Sequence, residues 1–161
     1  MHTAPPPGSE QLLNGRFIAS LATHNPDGSI HLAAVWYLFE NSCFYVATSS
    51  RSRKARNLAA RPQASLMIDT RKPAAEHAVV AIGTVEIISG EASQQFNTRI
   101  HHRYMSPQAV ADSRVGGTLA AMDDITLKLA PTRWYGWDMA ALDDALFHGA
   151  MKTPGYLLPL D

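Results

Sequence analysis

Residues 45–58, Tyr-Val-Ala-Thr-Ser-Ser-Arg-Ser-Arg-Lys-Ala-Arg-Asn-Leu, constrain the fold more than any other stretch of the chain. Phe44, Tyr45 and Val46 are β-type residues. The hydroxyls of Thr48, Ser49, Ser50 and Ser52 follow, interleaved with Arg51, Arg53, Lys54 and Arg56, four cations within six positions. Ala55, Leu58 and Ala59 then recur at helical spacing, and Pro62 stops the run. A strand therefore passes into a helix through a short hydroxyl-rich turn. The first N–H groups of a helix lack an intrahelical acceptor, so with hydroxyls and cations beside them they form a natural anion site. A capped helix with a solvated basic face is the structural alternative. Successive helix residues diverge by about 100°, so not every cation can face one anion. Lys54 and Asn57 share a face, and Arg56 points elsewhere.

Around this junction the pattern is mainly β. Strands are expected at 17–23, 30–39, Cys43–Thr48, 63–69, 77–88 and 125–137. The turn Asn25-Pro26-Asp27-Gly28 joins the first two. The second is nearly continuous in apolar residues, which fits burial on both faces, in a barrel wall or at a subunit interface. Gly83 marks a bulge or a close approach, and Pro131 an edge or a bulge. Helices are expected at 50–61, at 91–104 with Phe96, Ile100 and Tyr104 at spacing four, after Ser106-Pro107 as far as Gly116-Gly117, and at 140–150. The expectation is a mainly β fold, a six-stranded antiparallel barrel with flanking helices. It comprises a flexible arm (1–9), a barrel domain (10–150) and a tail (151–161).

Composition narrows the function. With 161 residues the chain is most simply one domain, and its net charge of zero disfavours a partner held by overall field, nucleic acid or anionic membrane. Cys43 is the only cysteine, which rules out an intrachain disulfide and a multi-cysteine metal site. His24, His31, His77 and His148 show no metal spacing, and His101 and His102 are adjacent, so no metal is expected. No apolar run reaches the roughly 18 residues of a membrane span. The first eight residues, with three prolines, do not resemble a secretory signal, and a cytoplasmic location is expected. A nucleophile elbow, a dinucleotide fingerprint and a phosphate loop are all absent, and no catalytic residue stands out.

An ordered set of short pieces resembles the flavin-binding split barrels related to pyridoxamine 5′-phosphate oxidase. These are Ser20-Leu-Ala-Thr23, Asp27-Gly28, Val35-Trp36-Tyr37, Tyr45-Val-Ala-Thr48, Ser52-Arg-Lys54, Arg56-Asn-Leu58, Pro62, Ser65-Leu66, Gly83-Thr84, Pro131-Thr-Arg-Trp134 and Trp137-Asp138. The resemblance implies a homodimer with two cofactor sites at the subunit interface. It places an FMN phosphate on Thr48, Ser49, Ser52, Arg53, Lys54 and Asn57, and the flavin ring along Ala33, Ala34, Val35 and Trp36. Trp134 and Trp137 match the segment that reaches the same site, often from the partner; their odd separation on a strand lets only one touch the ring.

Two departures matter. Ala34 stands where many relatives have proline. The tail 154–161 has no lysine or arginine, which argues against pyridoxamine phosphate as substrate. The implied function is an FMN-dependent oxidoreductase acting on a small molecule, FMN being favoured because basic charge is modest. One alternative is a deazaflavin coenzyme, suggested by the Lys-Ala-Arg-Asn-Leu helix, with Arg51, Arg56 and Arg61 along its anionic tail. Another is a non-catalytic flavin or haem carrier.

Overall fold

The computed structural model describes residues 3–71 and 75–158. The outermost residues of the expected arm and tail, and Pro73 of the loop expected between two strands, lie outside the described residues. Seven strands form one antiparallel sheet: β1 (Ala19–His24), β2 (Ile30–Val35), β3 (Leu38–Glu40), β4 (Cys43–Thr48), β5 (Gln63–Thr70), β6 (His77–Ser89) and β7 (Ile125–Asp138). Their spatial order is β2-β1-β5-β6-β7-β4-β3. The two edges of the sheet, β2 and β3, are consecutive in sequence with only Trp36 and Tyr37 between them. Three peptide units span roughly 10 Å at most, so the sheet must curl until its edges nearly meet. The result is a barrel with a split beside these two residues.

The expected count of six strands is corrected to seven, because 30–39 is two strands rather than one. The break has a visible cause. The backbone N–H of Tyr37 donates to the Tyr104 hydroxyl (3.3 Å), and its carbonyl shares that hydroxyl's hydrogen (3.2 Å) with the Phe17 carbonyl (2.8 Å), so both groups are engaged outside a strand ladder. The expectation of burial on both faces of 30–39 also fails within one chain. Exposure alternates along β2, leaving Ile30 56% and Leu32 64% accessible.

Inside the barrel, Tyr37, Phe44, Leu21, Leu66, Ile68, Val79, Leu127 and Trp134 form the core. Helix α1 (Glu10–Asn14) adds Leu12 and Leu13. The Tyr37 hydroxyl is shared between the carbonyls of Leu12 and Gly15, and burial pushes this phenol well above its ordinary range. Helix α2 (Arg53–Ala60) buries Ala55 and Leu58, as its spacing predicts. Helix α3 (Gly90–Tyr104) sets Ile100 fully inside, while Phe96 stacks on Tyr45 (4.1 Å between centroids) and Tyr104 on Trp36 (5.1 Å). Arg103 reaches from α3 to the carbonyls of Asn14 and Gly15, at 2.5 and 2.6 Å.

After α3 come α4 (Pro107–Ala111), a π-type turn over Ser113–Gly117 and α5 (Thr118–Met122). Gly116-Gly117 therefore does not close the helical segment. Gly116 lets the chain pass the Val110 backbone, since a Cβ there would lie 2.0 Å from the Val110 carbonyl oxygen. The helix expected at 140–150 is α6 (Met139–Leu142) continued by a π-type turn over Asp143–Phe147, with a 3₁₀ turn at Ala150–Lys152.

The bulge foreseen at Gly83 and Pro131 is present. Ile82 pairs with Arg133 and Gly83 with Pro131, so β7 carries Thr132 as an extra residue. β7 lies between β6 and β4 and is no edge. A Cβ on Gly83 would sit 2.0 Å from the Ala130 carbonyl oxygen. Gly83→Ala should therefore destabilise the fold by about 1–3 kcal/mol, the cost of forcing two strands apart. Urea denaturation checks this, and an unchanged midpoint would show that the bulge yields freely.

Candidate functional site

β4 ends at Thr48, the chain turns through Ser49–Ser52, and α2 begins at Arg53. Ser52 caps this helix, its hydroxyl accepting from the Ala55 N–H at 3.2 Å, and the Thr48 hydroxyl reaches the same oxygen at 3.3 Å. Ser50 is committed elsewhere. Its N–H and hydroxyl both donate to Asp124, each at 2.6 Å, and these bonds hold the Asp124 carboxyl below its ordinary range. The turn is thereby tied to the residues that lead into β7.

A cleft of about 390 Å³ opens at this junction. One end is polar: Thr48, Ser49, Ser52 and Lys54, with Asp123. The other is apolar: Ala34, Val35 and Trp36 from β2 and the split, with Ile18, Ile100, Leu119 and Met122. The Tyr104 ring lies nearly parallel to Trp36, at 3°, and holds the indole flat against α3. Lys54 has no salt bridge among the described residues. Burial lowers its ammonium pKa, and the nearby Asp123 carboxylate opposes that shift. A partly buried, unpaired lysine beside a helix N-terminus favours an anion in both field and hydrogen bonding.

Seven of the twelve residues assigned from sequence meet in this cleft: Ala34, Val35, Trp36, Thr48, Ser49, Ser52 and Lys54. Five do not line it. Ala33 faces the barrel interior and packs on the core. Arg53, one helical step from Lys54, turns toward a separate hollow with Asn25, Asp27 and His31. Asn57 is buried, and its amide donates to Thr23 (3.1 Å) and Asn25 (3.0 Å), which uses both of its hydrogens. Its role here is to fasten α2 to β1. Trp134 and Trp137 point to opposite faces, as expected. Trp134 is only 2% exposed and packs against Phe39 and Phe44, so it cannot stack on a ligand. Trp137 is 45% exposed, paired in register with Ala78 and away from the cleft of its own chain.

The residues that sequence reading missed are acidic and apolar: Asp123, Ile18, Ile100, Leu119 and Met122. The adjacent acids Asp123-Asp124 just before a strand were the available signal. A second groove, of about 340 Å³, crosses β1, β5, β6 and β7 past His24, Gln63, Thr84 and Arg133. It touches no helix N-terminus. Among the described residues no cluster of histidine, cysteine and carboxylates could hold a metal ion, and no helix is long and apolar enough to cross a membrane.

The family model for pyridoxamine 5′-phosphate oxidase matches residues 7–138. The chain belongs to this family of split-barrel proteins. Among solved structures it is similar to the conserved hypothetical protein Rv2991 from Mycobacterium tuberculosis, with 25% identity and a TM-score of 0.68 over 82% of this chain and 83% of that one. An F420 reductase matches at 22% identity and TM-score 0.64, covering 81% of this chain and 98% of the other. HutZ, the heme storage protein from Vibrio cholerae, matches at 18% identity and TM-score 0.60, covering 86% and 95%. The last two likenesses concern the fold. No curated protein matches the chain.

The lysine makes the anion site sensitive to pH. An anion at this junction would be held while Lys54 is protonated and released as pH rises through the lysine's pKa, which burial puts below the ordinary 10.5. Phosphate affinity should fall on the alkaline side starting below that value, and Lys54→Arg should flatten the fall, because arginine keeps its charge. Lys54→Ala should weaken binding by about 1.5–3 kcal/mol, roughly 10- to 150-fold in Kd. Titration with inorganic phosphate across pH 7–11, followed by NMR, measures each effect.

Proposed function

We propose that the protein is an oxidoreductase that uses a flavin-type cofactor, FMN or its deazaflavin analogue, to act on a small molecule. One observation carries this reading: a single cleft joins a helix start suited to an anion, with Lys54 and three hydroxyls, to an apolar wall built on Ala34, Val35 and Trp36. A cofactor with a phosphate at one end and a planar ring at the other has that shape of polarity. Thr48, Ser49, Ser52 and Lys54 would hold the phosphate, and Ala34, Val35 and Trp36 would flank the ring. Bound there, such a cofactor supplies hydride or electron transfer. The chain's own part is to fix the ring's position, exclude water from its apolar side and neutralise the tail. Lys54 and Asp123 are the titratable side chains that line the cleft, and the rest of the lining is hydroxyl or apolar, which suits redox chemistry centred on the cofactor.

A specific observation favours the deazaflavin coenzyme over FMN. Arg51, Arg53, Arg56 and Arg61 are all exposed along or beside α2, and none forms a salt bridge among the described residues. Exposed cations before, along and after α2, with Arg53 on the side of the Asn25–His31 hollow, would suit a long anionic tail. The cleft offers no comparable support for the haem reading, since no histidine lines it. Titration with FMN, deazaflavin coenzyme and hemin separates the three by affinity. Micromolar or tighter binding of either flavin-type molecule is expected, and binding of neither would overturn the proposal.

The active form is proposed to be a homodimer. Ile18, Ile30 and Leu32 are each more than half exposed, and Ile18 also lines the cleft. A two-fold contact over β2 would cover this apolar stripe and bring partner residues to the cofactor site. Leu32→Glu should give a monomer by light scattering and lower cofactor affinity at least tenfold, whereas a monomeric wild type would remove this part of the proposal.

A further inference from the structure

The polar end of the cleft carries an acid as well as its cation. Asp123 lines it together with Lys54, yet no salt bridge joins the two. One carboxylate oxygen, Oδ2, sits 2.9 Å from Nε2 of His101, a ring whose side chain is only 6% exposed. An ionised carboxylate only accepts, so this ring nitrogen donates. The Asp123 main chain is fixed as well. Its carbonyl accepts from the Asn97 amide at 2.8 Å, and Asn97 accepts at 2.6 Å from the hydroxyl of Thr126, which is fully buried in β7. Next in sequence, Asp124 grips Ser50. The Asp123 carboxylate is thus held from behind, and its Oδ1 has no protein donor among the described residues.

Such a group has no place in a phosphate grip, since like charges repel. Its open oxygen suits a hydrogen-bond donor on the ligand in place of water. An ammonium donor would be repelled by Lys54 in the same cleft, whereas neutral hydroxyls would not. We propose that Asp123, positioned by His101, reads the hydroxyls of a polyol chain attached to the anion, so that the cleft selects a phosphorylated polyol. The choice of chain rests on the flavin-type reading above, for FMN and the deazaflavin coenzyme both carry a ribityl phosphate. The recognition itself is independent of the ring.

The test compares inorganic phosphate, D-ribitol 5-phosphate and FMN as probes, by NMR and calorimetric titration of the full chain. Wild type should bind ribitol 5-phosphate more tightly than phosphate. Asp123→Ala should abolish that preference, weakening ribitol 5-phosphate and FMN roughly tenfold or more while phosphate binds equally well or better. Asp123→Asn keeps the shape and one acceptor oxygen; it should lose part of the preference, and it carries the test if the alanine variant does not fold. His101→Leu should reduce the ribitol-to-phosphate affinity ratio with little change for phosphate, and His101→Gln, which can still donate, should restore it. A merely structural role would weaken every probe alike. Equal losses for phosphate and ribitol 5-phosphate, or no preference in wild type, would overturn the proposal. If wild type ignores FMN but keeps an Asp123-dependent preference for ribitol 5-phosphate, the cofactor reading fails and this one stands.

Discussion

Two residues close the barrel, and the site depends on how they are held. Trp36 and Tyr37 are the whole distance between the first and last strands of the sheet. Tyr37 turns inward and bonds the end of α1; Trp36 turns outward and lies flat on Tyr104. The Tyr104 hydroxyl meets the Tyr37 N–H and carbonyl and donates to the Phe17 carbonyl at 2.8 Å. One α3 side chain therefore fastens the split, the approach to β1 and the aromatic wall of the cleft. A buried backbone group left without a partner costs about 1–3 kcal/mol. A Tyr37 peptide outside any ladder thus needs this hydroxyl, and with it the docking of α3.

The same helix sets the electrostatics of the cleft. Its buried polar row, Ser93, Asn97 and His101, faces Thr126, Asp123 and the start of β7 rather than apolar partners. Every member of this row finds a partner, which keeps a polar helix face tolerable in the interior. It also fixes two adjacent carboxylates: Asp124 clamps the β4–α2 turn through Ser50, and Asp123 enters the cleft. The positive end of the site and its acidic counterweight are consequently parts of one rigid assembly.

What sequence revealed was local; what it hid was set by tertiary contacts. The β4–α2 junction was legible because strand propensity, cap and helix spacing agree within fifteen residues. The bulge was legible because Gly83 and Pro131 each admit few conformations. The break at Trp36-Tyr37 was not, since β-type residues run through it and only a distant tyrosine hydroxyl interrupts the ladder. Asn57 shares a helix face with Lys54, as its i,i+3 spacing requires, but Thr23 and Asn25 claim its amide. Trp134 and Trp137 were rightly set on opposite faces, yet period two cannot say which face is the core. Asp123 showed in sequence only as one of two adjacent acids before a strand, because what positions it is His101, 22 residues away.

The apolar stripe on β2 bears on how complete a single protomer is. Fully burying an aliphatic side chain is worth about 1.5–3 kcal/mol, and Ile18, just before β1, and Ile30 and Leu32, on β2, are already about a third to a half covered. Two copies of the stripe would then contribute on the order of 5–10 kcal/mol. Association costs about 4–15 kcal/mol in lost translation and rotation, so the stripe alone is close to balance. Further surface has to add to it, and exposed apolar groups exist at Trp137, Leu146 and Phe147. A dimer that recruits Trp137 would explain why this indole stands away from its own core and its own cleft. A ligand seated against Ile18 and Ala34 would shift the same balance, because it covers one margin of the stripe. Were such a ligand itself buried between two protomers, its binding and their association would be linked, each strengthening the other.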